Sequence, residues 1–174
     1  MSAGLDGLNS MPADEAETLL LECCSSIAWA QGMARKRPFR NFSALVEAAD
    51  RIWWSLPGQD WLEAFSRHPK IDERAAEKPS GLRSAKWSEQ EQSGAQGAGA
   101  EAKRELAKAN RAYADKFGYI FIVCATGKTT EEMLALLKER LQNDPVAELR
   151  VAAEEQRKIT RLRLAKLVDT EAKP

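Results

Sequence analysis

Apolar residues recur at helical spacing along most of this 174-residue chain, and this periodicity is the feature that most limits how the chain can fold. Long runs that alternate between apolar and polar residues, which strands with one exposed face require, are missing. The pattern therefore predicts an all-α fold, arranged as a single compact multi-helix domain with a long C-terminal helix. We expect this domain to span residues 1–174, with an ordered core over about 12–168 and short flexible termini.

Local start and stop signals divide the sequence into helices. Pro12 and the acidic residues after it predict a first helix through about residue 27, because proline suits the first turn. Ser43 is the expected N-cap of the next helix, and more helices are predicted over about 59–66, 87–92, 101–117, 130–142 and 145–168. Gly118 predicts one helix end. The sequence does not decide whether residues 119–125 form a strand, the start of a helix or an extended segment, because so short a run carries too little periodicity.

Charge and cysteine content exclude several classes of partner. The chain carries 26 basic and 26 acidic residues with no long block of one sign, which argues against binding to nucleic acid or to a membrane surface. No apolar run approaches the length of a membrane span, and the first residues do not resemble a signal peptide. Cys23, Cys24 and Cys124 cannot all pair with one another, which indicates a reducing compartment. These features predict a cytoplasmic protein with small or local partners.

His68, the single histidine of the chain, is the best candidate for acid–base chemistry. An unperturbed imidazole titrates near neutral pH, so this side chain is the default general acid or base at pH 7. Pro69 follows directly and restricts the backbone of the residue before it. An ordinary surface or core histidine explains the same sequence, because a lone residue shows no partner.

The stretch Ser88-Glu89-Gln90-Glu91 has the spacing of a capping box, in which a serine and a glutamate satisfy the first amides of a helix. This structural explanation accounts for Ser88 and Glu91. It does not account for Gln92, or for the small residues at 93–95, which let other atoms approach. A carboxylate near a histidine could equally form half of an acid–base pair. The sequence leaves both interpretations open.

Arg163 falls inside the apolar stripe of the last helix when residues are placed at about 100° per position. The stripe is centred on Leu149 and also contains Ala152, Ala153, Gln156, Ile159 and Leu167. Three other arginines of this helix, Arg150, Arg157 and Arg161, fall on its flank or outside it. A buried guanidinium keeps its charge and therefore needs an anion, from the protein or from a ligand. An internal salt bridge or a snorkelling stem is the structural alternative.

The sequence Gly127-Lys128-Thr129 after an apolar run resembles the end of a phosphate-binding loop. The full pattern requires a glycine five positions before Gly127, and that position is Ile122. We therefore do not expect nucleotide binding. A cap at Thr129 or Thr130 for the following helix is a sufficient explanation.

Many short motifs follow one another in a distinctive order: Cys23-Cys24-Ser25-Ser26, Arg37-Pro38-Phe39, Asp60-Trp61-Leu62-Glu63-Ala64-Phe65, His68-Pro69-Lys70-Ile71, Trp87-Ser88, Glu91-Gln92-Ser93-Gly94, Asn110-Arg111-Ala112-Tyr113, the run from Phe117 to Cys124, Gly127-Lys128, Arg140-Leu141-Gln142-Asn143-Asp144 and Lys158-Ile159-Thr160-Arg161-Leu162-Arg163-Leu164. None is diagnostic alone. Together they closely resemble the OHCU decarboxylase family over nearly the whole chain. That family converts 2-oxo-4-hydroxy-4-carboxy-5-ureidoimidazoline (OHCU) to (S)-allantoin in urate breakdown.

The resemblance implies an all-α homodimer that acts on OHCU without a metal or an organic cofactor. By motif, the catalytic residues map to His68, Glu91 and Arg163. The implied substrate contacts are Pro69, Ser88, Gln92 and the backbone of Phe121, Ile122, Val123 and Cys124. Family members usually carry glycine after His-Pro-x-Ile, where this chain has Asp72. If that glycine has a positive φ, aspartate is a suitable replacement, because it tolerates positive φ better than most residues. The alternatives are a non-catalytic binding module on the same scaffold and a lyase for a related ureide.

Overall fold

The computed structural model describes residues 4–68, 82–95 and 99–168. Pro69, Asp72 and both chain ends lie outside the described residues. The regular elements of the described residues are all helical, which confirms the all-α prediction. They are α1 (Leu5–Ser10), α2 (Ala13–Cys23), α3 (Ile27–Lys36), α4 (Phe42–Ser55), α5 (Gly58–Ser66), α6 (Leu82–Glu91), a 3₁₀ turn (Ser93–Ala95), α7 (Ala100–Phe117), α8 (Thr130–Arg140) and α9 (Pro145–Val168). None of these helices combines the length and apolar character needed to cross a membrane.

Several predicted helix ends are confirmed by the local backbone. Gly118 ends α7 in the left-handed conformation, with φ of 81°, and its amide donates to the carbonyl of Ala114. Thr129 caps α8 in a capping box with Glu132. Pro145 begins the long helix α9, as its fixed φ favours. Each of these ends is set by one residue with a strong local preference, which is why the sequence reveals it.

The prediction of one N-terminal helix through about residue 27 is wrong. Helix α2 ends at Cys23, and Cys24 adopts an extended backbone as its C-cap. A new helix, α3, begins after Ser26, whose side chain accepts a hydrogen bond from the amide of Trp29 at 3.3 Å. The serine hydroxyl competes with helix continuation by capping the next helix instead. The short helix α1 precedes this region and was not predicted.

The N-cap of α4 is Asn41 and not Ser43, which corrects the prediction. The Asn41 side chain accepts from the amide of Ala44 at 2.9 Å.

We expect Asn41→Ala to lower the free energy of unfolding by about 1 kcal/mol, because the Ala44 amide in the first turn of α4 loses its hydrogen-bond acceptor. Urea unfolding followed by circular dichroism measures this loss. Ser43→Ala is the matched control, and an equal loss in both variants would contradict the assignment of the cap.

One compact unit contains the described residues up to 64 together with those from 157 onward. In it α2 packs against α3 and α3 against α4. The fully buried side chains of this unit include Leu20, Trp29, Met33 and Leu164. The indole of Trp29 donates to the backbone carbonyl of Ala49 at 3.1 Å, which satisfies its polar atom inside the core.

The second compact unit runs from Phe65 to Gln156. Here α7 packs against α8, and one apolar cluster joins these helices to the segment that follows Gly118. The cluster comprises Leu106, Ala109, Tyr113, Phe121, Val123, Ala125, Met133 and Leu137. Residues 121–125 are buried but belong to neither helix nor strand. Their burial explains why the sequence of this run carries so many apolar residues.

A buried ion pair lies beside this cluster. The guanidinium of Arg140 binds the carboxylate of Glu148 at 2.6 Å, with 7% and 0% of these residues exposed. Glu148 also accepts from the hydroxyl of Tyr113 and from the side-chain amide of Asn143, the latter at 2.8 Å. Arg140 in turn donates to the carbonyl of Ile122 at 2.7 Å. The pair is thus satisfied on several sides and fixes the backbone after α7.

Candidate active site

His68 lies just beyond the C-terminus of α5, where its amide donates to the carbonyl of Phe65 at 3.2 Å. The side chain is half-buried. Its Nε2 atom is 2.5 Å from Oε1 of Gln156 on α9. The donor and acceptor roles of the two ring nitrogens depend on the tautomer of the ring, whereas an amide oxygen can only accept a hydrogen bond.

Ser88 and Glu91 lie on one face of α6, and both are 8% exposed. Of the two interpretations left open for Ser88 and Glu91, the capping box is excluded, because α6 begins at Leu82 and Glu91 is its last residue. Ser88 is therefore in the final turns, and its carbonyl accepts from the amide of Gln92 at 3.1 Å. A carboxylate at a helix C-terminus gains nothing from the helix dipole. Helix capping therefore does not explain why Glu91 is found here. The other interpretation, a role in acid–base chemistry, remains.

Gly94 follows in the 3₁₀ turn, and its small size is used there. A Cβ at this position would collide with the backbone carbonyl oxygen of Lys128. The expectation that the small residues at 93–95 allow close approach is confirmed at Gly94. The turn after α6 therefore lies directly on the loop that leads into α8.

The segment Phe121, Ile122, Val123 and Cys124, whose backbone the resemblance assigns to substrate binding, is buried. Protein side chains already hold part of that backbone. The Cys124 amide donates to Oε2 of Glu155 at 2.7 Å, and Nζ of Lys128 donates to the Cys124 carbonyl at 2.8 Å. Together with the bond from Arg140 to Ile122, these contacts hold the segment in one conformation.

The pKa of the Cys124 thiol depends on its burial and on the charged side chains around this segment. Burial raises its pKa, and the nearby carboxylate of Glu155 raises it further. The Lys128 ammonium opposes this effect, whereas Glu91 acts in the same direction as Glu155. Glu91 therefore lies close enough to Cys124 for its charge to act there. The structure thus brings Glu91 and the 121–124 segment, two predicted parts of the site, into one neighbourhood.

Arg163 is 3% exposed, which confirms its predicted place on the buried face of α9. Its Nη1 atom is 3.5 Å from the backbone carbonyl of Glu22. Among the other arginines of this helix, Arg150 and Arg161 are exposed and Arg157 pairs with Asp50 at 2.9 Å. The helical phase therefore separates the buried guanidinium from the solvated ones correctly.

All three cysteines are buried, and none of them forms a disulfide. Burial raises the pKa of Cys24 to about 11, although the Ser26 backbone, Thr160 and the Arg163 cation oppose the shift. At pH 8 this shift from 9.0 lowers the thiolate fraction about 100-fold.

We therefore expect iodoacetamide to modify Cys24 at least about 100-fold more slowly in the folded protein than in urea. Peptide mass spectrometry measures both rates, and folded-state labelling within a few-fold of the unfolded rate would contradict the shift.

The Gly-Lys-Thr motif has a purely local explanation. Gly127 has a φ of 78°, a conformation that favours glycine. The Lys128 ammonium donates to the Cys124 carbonyl, and Thr129 caps α8. These local roles account for all three residues.

Sequence reasoning did not single out Gln156 or Glu155. Gln156 is 0% exposed, and its place in an apolar stripe is the signal that could have found it. A buried amide is costly unless it is hydrogen-bonded, so such a residue implies a polar partner. Glu155 carries no comparable signal, because an acidic residue beside that stripe is typical of a solvated helix flank.

The described residues define an all-α class of protein in which an imidazole contacts a buried amide, a carboxylate is buried at the end of α6, and a guanidinium is buried on α9. The OHCU decarboxylase family matches this chain over residues 9–165. The chain is 32% identical to the 2-oxo-4-hydroxy-4-carboxy-5-ureidoimidazoline decarboxylase of Amia calva, over 95% of this chain and 94% of that protein. The chain belongs to the OHCU decarboxylase family.

Two further comparisons agree with this assignment. The chain is 46% identical to the uric acid degradation bifunctional protein TTL of Arabidopsis thaliana, over 87% of this chain and 47% of that protein. It therefore spans about half the length of that relative. A crystal structure of OHCU decarboxylase in the presence of (S)-allantoin matches with a TM-score of 0.75 and 41% identity, covering 87% of this chain and 98% of that one.

Proposed function

We propose that this protein catalyses the cofactor-independent decarboxylation of OHCU to (S)-allantoin in urate breakdown. The observation that carries the proposal is the match to the Amia calva decarboxylase over nearly the full length of both chains. The similar crystal structure, which was determined in the presence of (S)-allantoin, supports the same reaction. The proposed catalytic residues are His68, Glu91 and Arg163.

The proposed reaction uses the substrate ring as its own electron sink. The bond to the carboxylate breaks and CO₂ leaves, and the electron pair forms a C=C bond between the ring carbon that bears the hydroxyl group and the ring carbon that bears the ureido group. The electron pair of the C=N bond moves onto the ring nitrogen, which takes up one proton from solvent. The hydroxyl proton then passes to His68 as the hydroxyl-bearing carbon becomes a carbonyl, and the electron pair of the C=C bond takes up a second solvent proton at the ureido-bearing carbon. That proton is added on one face, which sets the S configuration. The protein must orient the breaking bond and stabilise the charge that enters the ring.

Each proposed site residue has a part in this scheme. Glu91 is the carboxylate partner of His68 in the acid–base chemistry, and Arg163 anchors an anionic part of the substrate or the charge that develops in its ring. The buried position of Arg163 supports this role, because a desolvated guanidinium binds an anion more strongly than a solvated one. The ring and ureido amides are held by Pro69, Ser88, Gln92 and the backbone of Phe121, Ile122, Val123 and Cys124.

Arg163→Ala tests the function and the anchor together. We expect a loss of about 10- to 100-fold in kcat/KM, since one charge-assisted contact is removed. Time-resolved circular dichroism on freshly generated OHCU measures optically active allantoin against the spontaneous decay. Arg150→Ala, an exposed change on the same helix, is the matched control. Slow racemic product with the unaltered protein would contradict the function, and an active Arg163→Ala protein would contradict the anchor alone.

The remaining proposals concern organisation. We propose that the chain acts as one domain and as a cytoplasmic homodimer, with a small-molecule substrate and neither nucleic acid nor membrane as partner. Family membership supports the dimer, and three buried cysteines without a disulfide support a reducing compartment. Sedimentation velocity tests the oligomeric state: a protein that stays monomeric at micromolar concentration would contradict the dimer.

A further inference from the structure

The bond between His68 and Gln156 joins two residues with very different surroundings. Gln156 is 0% exposed on α9, next to the apolar positions Ala152, Ala153 and Ile159, whereas His68 is half-buried at the end of α5. A glutamine amide in such a stripe loses its water and must find protein partners. The 2.5 Å contact with Nε2 gives its oxygen one of these partners. An alanine or leucine would fill this position without the free-energy cost of desolvating an amide. Packing alone therefore does not explain why a glutamine is found here.

We propose that Gln156 is a positioning residue for the decarboxylation: it holds the imidazole of His68 in the Nε2–H tautomer and presents Nδ1 as the proton acceptor. This inference rests on the proposed function. A neutral histidine has one donor and one acceptor nitrogen, and the bond made by one nitrogen decides the role of the other. Because Oε1 only accepts, the Nδ1–H tautomer would leave two lone pairs facing each other.

The neutrality of Gln156 suits a general base. A carboxylate in the same place would also select the Nε2–H tautomer, but it would stabilise the imidazolium and hold the ring protonated. An amide oxygen fixes the ring without adding a charge, so it does not itself favour the protonated form of the imidazole. When Nδ1 takes up the proton of the substrate hydroxyl, the bond from Nε2 becomes charge-assisted and strengthens.

The neighbouring residue on α9 supports a positioning role for this turn. Glu155 holds the Cys124 amide at 2.7 Å, and Gln156 holds the His68 imidazole. Two adjacent residues of one rigid helix thus fix both the proposed base and the segment assigned to substrate binding. A site is positioned more accurately by side chains on a regular helix than by loops.

The single histidine makes a direct test possible without substrate. Protein labelled with ¹⁵N-histidine gives one imidazole in long-range proton–nitrogen correlation spectra, and those spectra report its tautomer. We expect the Nε2–H form, with a proton that exchanges slowly with water. In Gln156→Leu, exchange of that proton should accelerate at least about 10-fold, because its acceptor is gone. In Gln156→Glu, the midpoint of the imidazole titration should rise by at least about one pH unit.

Activity measurements complete the test. Gln156→Leu should lower kcat about 10- to 100-fold, since a misplaced base loses its near-attack geometry. In Gln156→Glu, the acidic limb of the pH profile of kcat/KM should move to higher pH together with the imidazole titration. The matched control is Gln142→Leu, an exposed glutamine after α8, which should change none of these quantities.

The outcomes separate this inference from the proposed function. An Nδ1–H tautomer in the unaltered protein would overturn the inference whatever the activity. Unchanged spectra and activity in a folded Gln156→Leu protein would also overturn it. An Nε2–H tautomer that depends on Gln156, in a protein without decarboxylase activity, would support the tautomer assignment and overturn the proposed function. If Gln156→Leu does not fold, the spectra of the unaltered protein and of Gln156→Glu still decide.

Discussion

His68→Asn is expected to lower the rate of OHCU decarboxylation by about 10²- to 10⁴-fold, the range that a positioned general base contributes. Asparagine cannot take up a proton near neutral pH, so the hydroxyl group of the substrate would lose its acceptor. The measurement is the initial rate of optically active allantoin formation by circular dichroism, after subtraction of the spontaneous reaction. Most of the activity should disappear while the far-ultraviolet spectrum stays helical.

A second substitution separates the loss of the base from a loss of structure. In His68→Gln the amide Nε2 reaches about as far as the imidazole Nε2, so a donor remains for the buried oxygen of Gln156. This variant should keep the stability of the unaltered protein and still be inactive. Arg67→Asn, at the exposed neighbouring position, is the matched control and should remain active. Near-normal turnover in both His68 variants would exclude His68 as the base.

The parts of the fold that the sequence predicts correctly depend on single residues with strong local preferences. Gly118, Thr129 and Pro145 each determine a helix end through their own backbone or side chain. The errors arise where two local signals compete. Both Asn41 and Ser43 can cap α4, and only the backbone conformation of the chain entering the helix decides between them. Ser26 likewise fits a helix interior or a cap until the surrounding packing is known.

The candidate site shows the same division between local and long-range information. Helical phase alone places Arg163 on a buried face, because burial on a helix follows from residue spacing. The partner of His68 is a different case, since Gln156 lies 88 residues further along the chain. No local pattern encodes that contact, and it forms only when α5 and α9 belong to one fold. The sequence could not decide between the capping box and an acid–base role at Ser88 and Glu91 for a related reason, because α6 begins at Leu82, before the motif.

Arg140→Met is expected to destabilise the protein by about 3–5 kcal/mol, because breaking a buried ion pair leaves one charge without compensation. Methionine has about the volume of the guanidinium stem, but it leaves the Glu148 carboxylate, which is 0% exposed, without its cation. For a chain of this size the loss corresponds to a decrease in Tm of roughly 6–20 °C. Thermal and urea unfolding both measure it. The surface pair of Lys138 and Glu105 is the reference, and Lys138→Met should cost under about 1 kcal/mol.

The double variant Arg140→Met with Glu148→Leu distinguishes an unpaired charge from lost packing. Removing both partners eliminates the buried carboxylate, so the double variant should be more stable than Arg140→Met alone. It should not recover the order of the segment at Ile122, because the hydrogen bond from Arg140 to that carbonyl is still missing. Faster amide exchange at residues 121–124 in both variants, with stability restored only in the double one, is the expected pattern. A double variant less stable than Arg140→Met would show that the pair stabilises the core by packing and hydrogen bonding, and not by charge compensation.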